Sequence, residues 1–309
     1  MRDLVRYLLT RFAWMLVTVW LVYTVSFVLM RSVPGNPFGS ERKVPPAIER
    51  QLKARYNLDA PVGVQYVQYA MGIVTRGDLG WCIRLEDYSV NAVLAEGFPV
   101  SASLAIFGLA FAIGLGIPAG VVSAVYRGSA ADNAMMTAAV LGIAVPNFVL
   151  ASLSILLFVF IIPLFPAGGW GTLRQVALPA LCLGAPVAAY IARLTRAGML
   201  EVLTREHVRT AFAKGLPKRT VMIRHVLPGA MLPVTSYLGP AAASVLTGSL
   251  VLEKIFAIPG MGSHFIAAAL QRDYTLAMGM VLTYTVLLFT MNTLVDISYA
   301  VIDPRVKLR

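Results

Sequence analysis

Charged residues are spaced so widely along this chain that the uncharged stretches between them read as membrane spans. A bilayer core takes about 20 apolar residues in a helix. Phe12–Met30 runs 19 residues without a charge. Further candidate spans lie within Gly97–Tyr126, within Ala134–Ile162, around Gln175–Ala192, within Val226–Leu252 and over Tyr274–Val295. At these lengths only a helix satisfies its backbone hydrogen bonds within lipid, so six transmembrane helices are predicted. Pro118, Pro146, Pro179, Pro186, Pro233 and Pro240 fall in these stretches and predict kinks, which transmembrane helices tolerate. The pattern changes over Arg31–Glu96. Ile48, Leu52, Arg55 and Tyr56 recur at helical spacing, Tyr66, Tyr69 and Ala70 suggest a second short helix, and Gly77-Asp78-Leu79-Gly80-Trp81 reads as a turn. The aromatic content of this segment points to an ordered lobe after the first helix.

Composition agrees with the spans. The 309 residues are 58% hydrophobic and 13% charged, against about 25% charged in a soluble domain. The N-terminal apolar run is longer than a signal-peptide core of about 7–15 residues and is followed by Arg31-Ser32-Val33-Pro34-Gly35, so an uncleaved first helix is expected. The net charge of +11 has no aromatic-interleaved basic patch, and nucleic acid is set aside as a partner. The charge is read by position instead. With a cytoplasmic N-terminus, one side holds Arg2, Arg6, Arg11 and Arg127, the eight cations from Arg193 to Arg224, and Arg305, Lys307 and Arg309. The short loops opposite hold only Arg174, Lys254 and Arg272. Both termini are therefore expected in the cytoplasm. Cys82 and Cys182 belong to segments of different depth, and His207, His225 and His264 are scattered, so neither a disulfide nor a metal site is predicted.

The loop between the fourth and fifth spans carries the most information. In Arg205–Leu216, REHVRTAFAKGL, the residues Val208, Ala211, Phe212, Gly215 and Leu216 fall at i, i+3, i+4, i+7 and i+8, the apolar face of a short helix. Glu206, Thr210 and Lys214 form a polar row beside Arg205 and Arg209, and Leu216-Pro217-Lys218 breaks the helix. A basic amphipathic helix of this kind can lie on anionic lipid, or it can dock in the groove of a soluble partner. Elsewhere, Asn292 and Asp296 share a face of the sixth span, with a structural partner for Asp296 as the plainer reading. Glu253 and Lys254 stand at the outer end of the fifth span, as gate residues or as an interfacial ion pair. Gly239, Ala241, Ala242, Ala243, Ser244 and Gly248 suit either a roomy path or close helix packing. An intramembrane enzyme would need paired acids, a Ser/His pair or metal ligands within the spans, and a secondary transporter an internal repeat with buried ionisable groups. Neither pattern is present.

Arg209-Thr210-Ala211, then Gly215, then Leu227-Pro228, resembles the EAA loop of bacterial ABC import permeases. Arg209 stands in place of the usual Glu, which is closer to the peptide branch, whose loop runs like RTARAKGL; Phe212 replaces the second Arg of that pattern. The resemblance extends over nearly the whole chain. Val33-Pro34-Gly35-Asn36-Pro37-Phe38, Glu41-Arg42 and Pro45-Pro46 are similar to the opening of peptide permeases, and Phe98–Leu104 to the start of their core domain. Arg193–Arg196, Val251-Leu252-Glu253, Ile258–Gly262 and Asp303-Pro304-Arg305 follow the same family. The resemblance, strongest to the B-type subunit of oligopeptide importers, implies an all-α type I ABC importer transmembrane domain in the bacterial inner membrane. Its parts would be residues 1–31 with the first helix, an extracytoplasmic lobe at 32–96, a core at 97–302 with a docking loop at 201–227, and a tail at 303–309. It further implies a second homologous permease, two ATP-binding subunits that hold ATP and Mg, and an extracytoplasmic peptide-binding protein. It assigns ATPase docking to Val208, Arg209, Thr210, Ala211, Phe212, Lys214, Gly215 and Leu216. Dipeptides, murein peptides and nickel chelates are cargoes of the same family. The chain has no GxxxxGK[ST] phosphate loop, so no cofactor or catalytic residue is expected in it.

Overall fold

The computed structural model describes residues 2–32, 59–85 and 87–302. The expected helix around Ile48–Tyr56, the Pro-rich opening after Ser32 and the tail 303–309 lie outside them. The described residues are helical almost throughout, with one isolated antiparallel bridge, Trp81 to Ser89. Five helices are long and apolar enough to cross a membrane, and a sixth crossing is available if one bent helix pair is a single span. The protein is an all-α integral membrane protein. The described residues of Met1–Val100 and Pro259–Thr290 form one compact unit, and those of Ser101–Ile258 and Met291–Lys307 a second.

In the first unit, α1 (Arg2–Ser32) is followed by α2 (Val62–Arg76). Tyr66, Tyr69 and Ala70 sit on α2 and pack against Tyr23 and Phe27 of α1, as part of one apolar cluster. The Tyr23 hydroxyl donates to the Tyr66 carbonyl at 2.6 Å, and the two rings lie 4.8 Å apart. Gly77 ends α2 with φ +63, a left-handed cap that glycine adopts without a Cβ penalty. Asn91 then clamps the turn, accepting from the Leu79 N–H and donating to the Gly77 carbonyl. α3 (Val90–Val125) begins here, seven residues before the span expected from Gly97, because Val90 and Val93 are buried with Cys82, Met261 and Met280. α12 (Met261–Gln271) is a helix outside the six expected spans, and Asp273 caps the helix after it by accepting from the Leu276 N–H. That helix is α13 (Tyr274–Ile302).

The second unit is built around α6 (Leu173–Val202), which opens on a Thr172/Gln175 capping box and carries Pro179 and Pro186 internally. Glycines let its neighbours approach. A Cβ on Gly120 would lie 2.5 Å from the Ala192 carbonyl oxygen, one on Gly116 2.6 Å from that of Ala188, and one on Gly198 2.7 Å from that of Ala230. Small residues at such crossings are the usual device of membrane helix packing. The third expected span is a broken one: α4 (Ala130–Ala144) and α5 (Asn147–Ile155, continued by π-helical turns over Leu156–Ile161) meet at 110°. Pro146 is the cause. It has no N–H to continue α4 and it holds Val145 extended, at ψ 122.

The fifth span is α10 (Leu232–Thr247) with α11 (Leu250–Ile255), interrupted at Gly248. Ala241 and Ala243 are buried, and a Cβ on Gly239 would meet Val295 of α13 at 2.7 Å. These small residues serve close packing. Between α6 and α10 come α7 (Glu206–Ala213), α8 (Lys218–Val221), π-helical turns over Met222–Val226, and α9 (Leu227–Ala230).

Candidate functional site: a helical head on the fourth span

α7 opens on an acid and closes on a glycine turn. Glu206 stands in its first turn, where the helix dipole favours an acid. At the other end Gly215, at φ +75, donates its N–H to the Phe212 carbonyl at 2.9 Å, and the Leu216 N–H reaches the Ala211 carbonyl at 3.4 Å. That is the bond pattern of a Schellman motif, with Leu216 as the apolar residue that folds back on the helix. Pro217 cannot continue the helix and takes the position before α8.

The apolar face predicted for this helix divides in two. Val208 (0% exposed) and Ala211 (5%) are buried against Met199 and Val202 of α6, Val221, Met222 and Val226 of the following turns, Ala230 of α9 and Ala124 of α3. Leu216 packs on the same cluster while half-buried. Phe212 is 43% exposed, with Arg209, Thr210 and Lys214 exposed around it. Two residues expected to contact a partner are therefore core, Val208 and Ala211, while Gly215, exposed, is also the turn glycine that ends the helix. What remains outside is an apolar knob in a basic surround. Periodicity could not have shown this division, since an apolar face reads the same whether its own chain or another chain covers it.

The head is held firmly to the spans beneath it. Arg196 of α6 donates two hydrogen bonds to Asp132 of α4, each 2.8 Å, and the Gly128 N–H and the Ser123 hydroxyl donate to the same carboxylate. Asp132 is buried, and its bidentate pairing with a planar guanidinium fixes the orientation of α6 against α4. The sequence reading missed Asp132. Its signal is an acid in the first turn of a helix, behind the Ser129 cap. His207 contacts the His225 carbonyl at 3.2 Å and closes α7 onto the turns that follow.

The other candidate residues are dispersed. Glu253 is buried with the Ser249 hydroxyl 2.6 Å from its carboxylate, whereas Lys254 is exposed beside it on α11. Asn292 is exposed and Asp296 half-buried, one turn apart on α13. Among the described residues no group of three or more His, Cys, Asp or Glu side chains is placed to hold a metal ion.

The described residues thus form membrane helices with a basic, apolar-tipped head between two spans. The comparisons name the family. Residues 116–308 match the binding-protein-dependent transport system inner membrane component family, and the chain belongs to it. It is 45% identical over 303 residues to the dipeptide transport system permease protein DppB of Bacillus subtilis, covering 98% of each chain. It is 40% identical over 306 residues to the oligopeptide transport system permease protein OppB of Escherichia coli, covering 98% of this chain and all of that one. Among solved structures it is similar to an amino acid ABC transporter at TM-score 0.52 and 16% identity, over 67% of this chain and 93% of that one. That likeness supports the fold alone. The family is that of transmembrane permease subunits of ABC importers.

Proposed function

We propose that this chain is a permease subunit of an ATP-driven, binding-protein-dependent importer of oligopeptides across the bacterial inner membrane. The observation that carries the reading is full-length identity of 40–45% to peptide permeases. The α7 head gives it a physical route to coupling. Phe212 enters a groove on an ATP-binding subunit, and Arg209, Thr210 and Lys214 contact the rim of that groove. Two such subunits bind ATP and Mg and close on each other. Because Val208 and Ala211 are buried against α6 and α9, a displacement of α7 is passed directly to the spans. A second homologous permease completes the path, and an extracytoplasmic binding protein delivers the cargo. The two states differ in the contacts the permease makes, as any nucleotide-biased gate requires.

Dipeptide cargo is the second reading, favoured by the higher identity to DppB. Reconstitution of the chain with its partner permease, two ATPases and binding protein tests both. Uptake of labelled pentapeptide, dependent on ATP, supports the first reading. Uptake of dipeptide that excess pentapeptide does not inhibit selects the second. Uptake driven by a proton gradient without ATPase subunits removes both in favour of a secondary carrier.

A further inference from the structure

The first unit forms a half-open cavity of about 250 Å³ where the apolar span of α1 ends. Its walls come from the last turn of α1, from α2, from the turn after α2 and from the start of α13. Two cations reach it, Arg31 and Arg76. The Arg31 guanidinium donates to the Gln65 side chain, which in turn donates to the Ala60 carbonyl at 2.6 Å, and it lies over the Phe27 ring at 5.6 Å from its centroid. Arg31 is thus held in place, yet among the described residues no carboxylate forms an ion pair with Arg31 or Arg76. Asp78, the one acid among the described residues of the wall, already accepts from the Gly80 N–H at 2.8 Å.

A second feature lies in the cavity wall. Tyr274 lines the cavity, and its hydroxyl is buried without a hydrogen-bond partner among the described residues. A buried hydroxyl left unsatisfied costs on the order of 1–3 kcal/mol, and a bound oxyanion would accept from it. The rest of the lining is amphipathic, with Gln68 on the polar side and Phe27, Met30 and Met278 on the apolar side. The outer surface of α1 below it, including Val25, Val28 and Leu29, is apolar and exposed.

We propose that this cavity binds the phosphodiester headgroup of an anionic membrane lipid. The phosphate sits between Arg31 and Arg76 and accepts from the Tyr274 hydroxyl, while the acyl chains run along exposed α1. Charge-assisted bonds from two guanidiniums suit a tetrahedral oxyanion. A zwitterionic peptide fits less well, because among the described residues its ammonium would have only Asp78 to meet. The position at the end of a span is where a headgroup lies.

The test reads bound lipid and not transport, so it stands or falls apart from the peptide reading. The full chain, purified in mild detergent and stripped stepwise, is weighed intact by native mass spectrometry after exposure to phosphatidylglycerol or phosphatidylcholine. One phosphatidylglycerol should survive stripping in the wild type and phosphatidylcholine should not. Arg31→Gln with Arg76→Gln should lower retention about tenfold, and Tyr274→Phe by about threefold. Met278→Trp, which fills the apolar end and spares every polar group, should also lower it. Equal retention of both lipids, no retention by the wild type, or unchanged retention in all variants would overturn the proposal. Displacement of the lipid by inorganic phosphate at low concentration would show a soluble oxyanion to be the true occupant.

Discussion

Phe212 and Val208 lie four residues apart on one short helix, and the structure gives them opposite duties. Phe212→Ala removes an exposed ring, so stability should change by less than about 0.5 kcal/mol. If the ring anchors the ATPase contact, its loss should cost about 2 kcal/mol of association. The expected result is a normally folded permease that captures its ATP-binding subunit at least about tenfold less well in a detergent pull-down. Equal capture would remove Phe212 from the docking surface. Val208→Ala acts the other way. It empties part of a closed core and should destabilise the chain by about 1–2 kcal/mol, seen as a lower unfolding temperature in detergent. Gly215→Ala strains a residue at φ +75 by about 1 kcal/mol, and should fray the end of α7 without touching a partner directly.

Among the elements, the ones carried by a strong local signal were legible in the sequence. α1, α6 and α13 follow from uninterrupted apolar length, and α7 from its spacing and the Gly215-Leu216-Pro217 stop. α12 was not legible. Met261–Gln271 is short, apolar and bounded by Gly260, and such a run reads as loop, strand or helix alike. Pro146 announced a kink, yet a proline reports only that hydrogen bonding stops, so the 110° between α4 and α5 was not legible in advance. Asp132 and Arg196 are 64 residues apart, so their pairing was invisible until α4 and α6 were placed side by side. The pair makes a prediction at this scale. Asp132→Asn keeps the shape and loses the charge-assisted bonds, which should loosen α4 from α6 beneath the head. ATP hydrolysis by the assembled importer should persist while peptide uptake falls several-fold. Equal losses of both activities would make the pair a folding element only.

At the scale of the whole molecule, the bent pair decides which way the head faces. If α4 and α5 together cross the membrane, three crossings separate the end of α2 from α7, and the two lie on opposite sides. If the pair dips in and returns, two crossings separate them and they share a side. The positive-inside pattern predicts the first arrangement, since Arg209, Lys214, Lys218 and Arg219 gather on α7 and α8. Cysteine labelling can read this directly, because Cys82 (1% exposed) and Cys182 (0%) are closed to reagent. Val74 on α2 is 84% exposed, and Lys214 is exposed at the end of α7. Val74→Cys should react with a membrane-impermeant maleimide in intact spheroplasts, and Lys214→Cys only after the membrane is opened. Reaction of both in intact cells would place α7 outside, make the bent pair re-entrant, and separate the head from any cytoplasmic ATPase. Reaction of Val74→Cys alone puts the head where ATP is, with six crossings and the broken span as one of them.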